Sequence, residues 1–171
     1  GIGTKLITAY DQPALGGVYK VVSVENENGE MVDTIKISGT AEKISNPGKK
    51  QVWRITRNSD GKSQGDYVAL WDEDPRELPD GLYMFHPNYP YLNKTVVDYT
   101  ARPILQDVFV DGELVYDLPT LSEISAYAKH EMETFWDEYK RLHSPHRYKV
   151  DLSKPLYELK RGMLEERRSK A

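Results

Sequence analysis

The sequence of 171 residues contains no cysteine. That absence excludes a disulfide-stabilised scaffold, a zinc site built from thiolates and a catalytic cysteine. No apolar run approaches the roughly 20 residues that a transmembrane helix needs, and the residues at the start of the sequence show no charged-then-apolar pattern. Basic residues are not in excess, because 23 Lys and Arg stand against 27 Asp and Glu. The net charge of −4 disfavours a nucleic-acid partner, and we expect a cytoplasmic protein.

What is present is ordinary for a globular chain, with 39% hydrophobic and 29% charged residues. The length suits one domain, or one small domain with part of another. Gly1 is not an initiator residue, and residues 1–4 (Gly-Ile-Gly-Thr) have the composition of a loop interior. We expect that the chain is part of a longer protein; a tag remnant before a native start is the alternative.

Alternating apolar residues predict strands at 18–24, 31–37, 51–56, 67–71, 104–110 and 113–116. Two of the gaps between them carry strong hairpin signals, Asn28-Gly29 and Asp111-Gly112. Residues 81–99 are rich in Tyr and Pro and give no clear assignment. The polar, Gly-rich run 58–65 predicts a boundary between a unit 1–58 and a unit 59–171.

A long helix is predicted after Thr120, because residues 120–123 (Thr-Leu-Ser-Glu) fit a capping box. Apolar residues then recur at helical spacing, as a packing face, at Ile124, Tyr127, Ala128, Met132, Phe135, Tyr139 and Leu142. Ser144-Pro145 should end this helix. A second helix is predicted near Ser153, with Pro155 in its first turn. The expected fold class is α+β, with antiparallel hairpins and a long C-terminal amphipathic helix.

The chain's candidate phosphate-binding residues stand at its start. Gly1 and Gly3 allow backbone N–H groups to approach an anion closely, and a short helix starting at Thr4 would add its positive end. Lys20 follows a Gly-Gly break, from which a long cation could reach a phosphate. On the residues alone, a plain turn and a solvated lysine are the commoner interpretations.

Four stretches carry a resemblance that is more specific than this loop. They are residues 1–6 (GIGTKL), 11–20 (DQPALGGVYK), 47–54 (PGKKQVWR) and 105–116 (LQDVFVDGELVY). They resemble nicotinate phosphoribosyltransferases over nearly the whole chain, most closely bacterial enzymes with an added C-terminal domain.

The resemblance implies an enzyme of NAD biosynthesis. The family makes nicotinate mononucleotide from nicotinate and phosphoribosyl pyrophosphate, coupled to ATP hydrolysis, with Mg²⁺ held largely by the substrate phosphates. It has an irregular α/β barrel joined to a β-rich domain and acts as a homodimer with shared active sites. Residues 1–58 would then be the end of the barrel and β-rich part, and residues 59–171 the C-terminal domain.

The resemblance also assigns the site. The family's Gly-x-Gly-Thr turn, which binds the 5′-phosphate of the ribosyl substrate, matches Gly1, Gly3 and Thr4. Lys20 matches a lysine that reaches phosphates across the dimer in the related nicotinamide enzyme. That enzyme has an arginine and a serine where this chain has Gln12 and Val18. The family's catalytic histidine lies upstream, so no residue here is assigned a catalytic or metal-binding role.

Two alternatives stay open, one for a cluster of basic residues and one for the function of the whole chain. Lys49, Lys50, Arg54 and Arg57 form either a phosphate or dimer surface or a solvated strand edge. The acidic run 72–74 is interpreted as a solvated loop rather than a magnesium site. The whole chain could instead be a non-catalytic β-rich interaction or oligomerisation module.

Overall fold

The computed structural model describes residues 16–76 and 78–169, together with Gly3. Its strands are β1 (Ser23–Glu25), β2 (Met31–Asp33), β3 (Lys50–Arg57), β4 (Ser63–Leu70), β5 (Leu82–His86), β6 (Tyr89–Val96), β7 (Tyr99–Pro103), β8 (Phe109–Val110), β9 (Glu113–Leu114) and β10 (Val150–Leu152). Its helices are α1 (Leu121–Thr134), α2 (Lys154–Ser169) and short 3₁₀ turns at Ala41–Lys43 and Asp137–Tyr139. The fold is therefore mixed, with hairpins and helices. That its first part ends a barrel stays a prediction.

A four-stranded sheet in the order β10-β4-β3-β7 forms the centre. β3 pairs antiparallel with β4 and β7, whereas β10 pairs parallel with β4. Alternate residues of a strand face the same side, which places Trp53 and Ile55 in one buried cluster with Tyr67 and Ala69. The strands predicted at 51–56 and 67–71 are confirmed, and both are longer than predicted.

The polar run 58–65 connects the two central strands. Gly61 adopts a left-handed φ of 68°, which suits the tight turn between β3 and β4. Arg54 of β3 pairs with Asp66 of β4 across the same hairpin. One sheet therefore runs across residue 58, whereas the division into units 1–58 and 59–171 stays a prediction.

Both predicted turn signals lie at hairpins with short strands. Asn28-Gly29 joins β1 to β2, and Asp111-Gly112 joins β8 to β9. Each pairing extends over only two or three residues per strand, so the strands predicted around these turns are too long. Their side chains remain largely exposed. Longer pairing would bury no apolar core, which explains why these strands are short.

The hairpin of β5 and β6 lies in the region that the sequence left unassigned. Leu82, Met84 and Val96 are buried with Trp53 and Ile55 in the main cluster. Outward residues of β6 are mostly exposed tyrosines and polar groups, which concealed the strand pattern. The hairpin covers one face of the sheet.

Helix α1 begins as predicted but ends early. Thr120 accepts a hydrogen bond from the Glu123 amide, and the Glu123 carboxylate accepts one from the Thr120 amide, which completes the capping box. The chain leaves the helix at Phe135, which has extended backbone angles. Phe135 and Tyr139 instead pack edge-on against Tyr148. The predicted continuation to Ser144-Pro145 is wrong, because the packing of Phe135 and Tyr139 against Tyr148 requires a non-helical backbone after Thr134.

Helix α2 is confirmed where the sequence predicted it, with Pro155 in its first turn. Ser153 lies just before the helix, and its hydroxyl accepts a hydrogen bond from the Leu156 amide and donates one to Glu73. Leu156 is fully buried against Val68 and Leu152 on the second face of the sheet. Of the helices in the described part of the chain, none combines the length and apolarity that crossing a membrane requires.

Candidate functional site

The residues predicted to bind phosphate are only partly within the described structure. Gly1 and Thr4 lie outside the described residues, as does the short helix predicted to start at Thr4. Gly3 is exposed, and a side chain added there would meet nothing within 4 Å. Lys20 is half-buried and lies in irregular backbone before β1, not in the strand predicted for it. Their convergence on one phosphate stays a prediction.

The basic residues around β3 do not form a shared anion site. Lys50 donates hydrogen bonds to the carbonyls of Asn46, Pro47 and Gly48. The Lys49 ammonium lies 4.1 Å from the centre of the Trp71 ring. Each of these cations is satisfied by its own local partner, so the structure favours the strand-edge interpretation for both.

Arg54 instead anchors α1 to the sheet. Its Nε lies 3.0 Å from an Asp66 oxygen, and its Nη1 lies 2.7 Å from an oxygen of Glu131 in α1. Glu131 also accepts from Arg102 at 2.8 Å. The hydrogen bond to Asp66 raises the pKa of Arg54 further above its usual value. Burial raises the pKa of Tyr148, whose hydroxyl donates to Asp66, to about 12. These charged and polar side chains have a structural role, because each of them is paired with another group of the protein.

His86 and the acidic loop also have structural partners. Nδ1 of His86 accepts hydrogen bonds from the amides of Asn88 and Tyr89 and closes the β5–β6 turn. Glu73 accepts from Ser153 at 2.6 Å and from the Leu70 amide at 2.7 Å. In the segments 16–76 and 78–169, no three His, Asp or Glu side chains converge as metal ligands.

A surface cavity of about 270 Å³ lies where β4, β6 and the segment after α1 meet. Its walls include Ser63, Gln64, Lys94, Trp136, Tyr139 and Lys149. The Lys94 ammonium donates to the backbone carbonyl of Gln64 at 2.8 Å and to its side-chain oxygen at 3.1 Å. Burial, and then the nearby Lys149, lower the pKa of Lys94.

Sequence reasoning missed this cavity. Lys94 and Lys149 belong to no motif, and they meet only because β10 pairs in parallel with β4 beside the β5–β6 hairpin. Gly65 is the one local signal. A side chain there would lie 3.0 Å from Cβ of Lys149, so glycine admits the close approach.

Comparison with known proteins identifies the family. Residues 49–160 match the model described as the nicotinate phosphoribosyltransferase C-terminal domain. The nicotinate phosphoribosyltransferase of Bacillus subtilis is 45% identical over 99% of this chain, which spans 34% of that relative. The human enzyme is 33% identical over 93% of the chain, which spans 28% of it.

A crystal structure of human nicotinic acid phosphoribosyltransferase also matches, with a TM-score of 0.62 and 28% identity. The match covers 70% of this chain and 24% of that one. The chain thus spans about a third or less of each of these proteins. The chain belongs to the nicotinate phosphoribosyltransferase family, and its residues 49–160 correspond to the C-terminal domain of that family.

Proposed function

We propose that the chain is the C-terminal part of an enzyme that forms nicotinate mononucleotide from nicotinate and phosphoribosyl pyrophosphate, coupled to ATP hydrolysis. The observation that carries this proposal is the 45% identity to a relative of that name across 99% of the chain. Similarity over this length includes loops and exposed strands as well as the core. The enzyme works in the cytoplasm as part of NAD biosynthesis.

In this proposal the start of the chain contributes the 5′-phosphate loop, through Gly1, Gly3 and Thr4, with Lys20 as a second cation. Glycines let successive backbone N–H groups approach the phosphate, where a Cβ would otherwise intervene. Lys20 adds a point charge on a flexible stem. ATP and phosphoribosyl pyrophosphate carry Mg²⁺ on their phosphates, which suits its preference for keeping several water ligands.

The surface of α1 supports a larger assembly. None of its residues is buried, and Leu121, Ile124 and Tyr127 are 81%, 49% and 57% exposed. A helix gains most of its stability from burying an apolar face. We infer that this face packs against the remainder of the enzyme, within a homodimer.

A glycine substitution tests the loop. In the full-length enzyme, Gly3→Val should raise KM for phosphoribosyl pyrophosphate about tenfold or more, because the loss of one charge-assisted hydrogen bond has that effect. Gly39→Val is the matched control, since a Cβ added there, as at Gly3, would meet nothing within 4 Å. Initial-rate kinetics of nicotinate mononucleotide formation give both values.

The effect of Gly3→Val on the kinetics separates this proposal from a purely interacting module, which the exposed face of α1 also suits. The purified 171-residue chain should form no nicotinate mononucleotide, because the residues that align the reactants lie elsewhere in the enzyme. If Gly3→Val leaves the kinetics unchanged, the proposed phosphate-binding role of the loop is wrong, and only an interaction role remains for the chain.

A further inference from the structure

The cavity between β4, β6 and residues 136–149 contains two cations without an anionic partner. Lys94 donates only to neutral oxygens of Gln64. Lys149 forms no ion pair with any residue in the described ranges, although its carbonyl accepts from the Asp66 amide at 2.9 Å. That backbone bond and the close approach to Gly65 fix where the Lys149 side chain starts.

The two lysines line the same cavity. Burial lowers the pKa of Lys94 most and the charge of Lys149 lowers it further, whereas the charge of Asp151 raises it. Like charges brought together at a half-buried position cost free energy unless a counter-ion joins them. Cations elsewhere around this sheet, such as Arg54 and Arg57, have carboxylate partners.

The carboxylates near the cavity offset these charges only in part. Glu138 lines the cavity but pairs with Arg141 at 3.2 Å. Asp151 is fully buried, and neither of its oxygens has a hydrogen-bond partner among the described groups. Burial raises the pKa of Asp151, while Lys149, His86 and Lys94 act against that rise. The cavity therefore carries an excess of positive charge.

The shape of the cavity restricts its ligand. A volume of about 270 Å³ is below the usual range for drug-sized molecules, which starts near ~300 Å³. Trp136 forms part of the wall, and its indole N–H already donates to the Ser63 carbonyl at 3.0 Å. The free donors that face a ligand are thus mainly ammonium groups, and His146 adds an imidazole at the edge.

We propose that this cavity binds a small multivalent oxyanion of the phosphate type, held between Lys94 and Lys149. A diphosphate group suits the pair, since each phosphoryl group can accept from one ammonium. Neither Gly3 nor Lys20 lines the cavity. The inference is argued from Lys94 and Lys149 alone and does not depend on the proposed 5′-phosphate loop.

Titration of the 171-residue chain with inorganic pyrophosphate tests the proposal. Calorimetry should show one site, and Lys149→Gln should weaken it roughly tenfold or more, because a charge-assisted hydrogen bond is lost. Lys140→Gln is the matched control, since that lysine is near in sequence but paired with Asp137 at 2.9 Å.

Nuclear magnetic resonance of the unsubstituted chain keeps the test independent of variant folding. Pyrophosphate should shift the amide signals of Gln64, Lys94 and Lys149. ADP distinguishes the source of the diphosphate: tighter binding than pyrophosphate means that a nucleotide ring contacts Trp136 or Tyr139, and equal binding means that the diphosphate alone is recognised. No binding at physiological ionic strength, shifts confined to other residues, or equal weakening by Lys149→Gln and Lys140→Gln would overturn the proposal.

Discussion

Gly81 and Gly112 hold nearly the same left-handed backbone, with φ of 82° and 85°, but have different surroundings. A Cβ on Gly81 would lie 2.8 Å from the Val96 carbonyl oxygen, whereas one on Gly112 meets nothing within 4 Å. Gly112→Ala should cost about 1 kcal/mol in unfolding free energy from backbone strain alone. Gly81→Ala should cost about 3 kcal/mol, because overpacking adds to that strain. Urea unfolding measures both, and equal losses would show that packing against β6 contributes nothing.

Asp151 should make stability depend on pH. Burial raises the pKa of this carboxyl above its ordinary value of 3.8 in the folded state. The native state then holds the proton more tightly than the unfolded state, so this contribution to stability is complete below pH 3.8 and is lost as pH rises through the folded pKa. Asp151→Asn removes the titrating group, so its melting temperature relative to the unsubstituted chain should rise across that window.

Asp60 provides the control of opposite sign. Hydrogen bonding to Arg57 lowers the pKa of this exposed carboxyl to about 2. Its contribution is present above pH 3.8 and is lost as pH falls through about 2, so Asp60→Asn should lose its effect on melting temperature only in acid. Melting curves between about pH 2 and 8 cover both windows. A difference between Asp151→Asn and the unsubstituted chain that does not vary with pH would contradict the buried-carboxyl account.

At the scale of the element, Glu131 attaches the end of α1 to the sheet. It accepts from Arg54 and Arg102, and its side chain is 14% exposed. Glu131→Ala should lower the unfolding free energy by about 2 kcal/mol, the range of a hydrogen bond to a charged group. The amides of α1 should also exchange hydrogen faster. Glu133→Ala, at an exposed position two residues along the same helix, should do neither. Similar exchange for the two variants would show that other contacts anchor the helix.

The same helix shows what sequence can and cannot predict. Its start follows from residues within one turn, Thr120 and Glu123, and the capping box forms as expected. Its end depends on partners far from it in the chain: Phe135 packs against Tyr148, and the indole of Trp136 donates to Ser63, 73 positions away. Apolar periodicity contains no information about those partners, so the predicted helix continues too far.

The candidate sites show the same limit. The phosphate loop was predicted from a resemblance that the family match supports, but Gly1 and Thr4 lie outside the described residues and the loop remains a proposal. The cavity of Lys94 and Lys149 could not be predicted, because parallel pairing of β10 with β4 creates it. Gly65 indicates that another segment approaches the backbone closely, but it does not identify Lys149 as the residue that does so.

At the scale of the whole molecule, the exposed apolar residues of α1 are the feature that the chain alone does not explain. Ile124, Tyr127 and Met132 lie at helical spacing and are 49%, 57% and 51% exposed. β8 and β9 expose Phe109 and Leu114 as well. Large exposed apolar patches mark interaction sites in proteins.

Hydrogen exchange can determine whether the remainder of the enzyme covers this face. Amides of α1 should exchange quickly in the isolated chain, because a 14-residue helix without a buried face is marginally stable in water. In the full-length enzyme they should exchange more slowly. Peptides from the first half of α2 are the internal control, since Leu156 is already fully buried there and their exchange should be similar in both proteins. If α1 exchanges equally fast in the full-length enzyme, its apolar face is not covered there, and the packing that we infer for it is wrong.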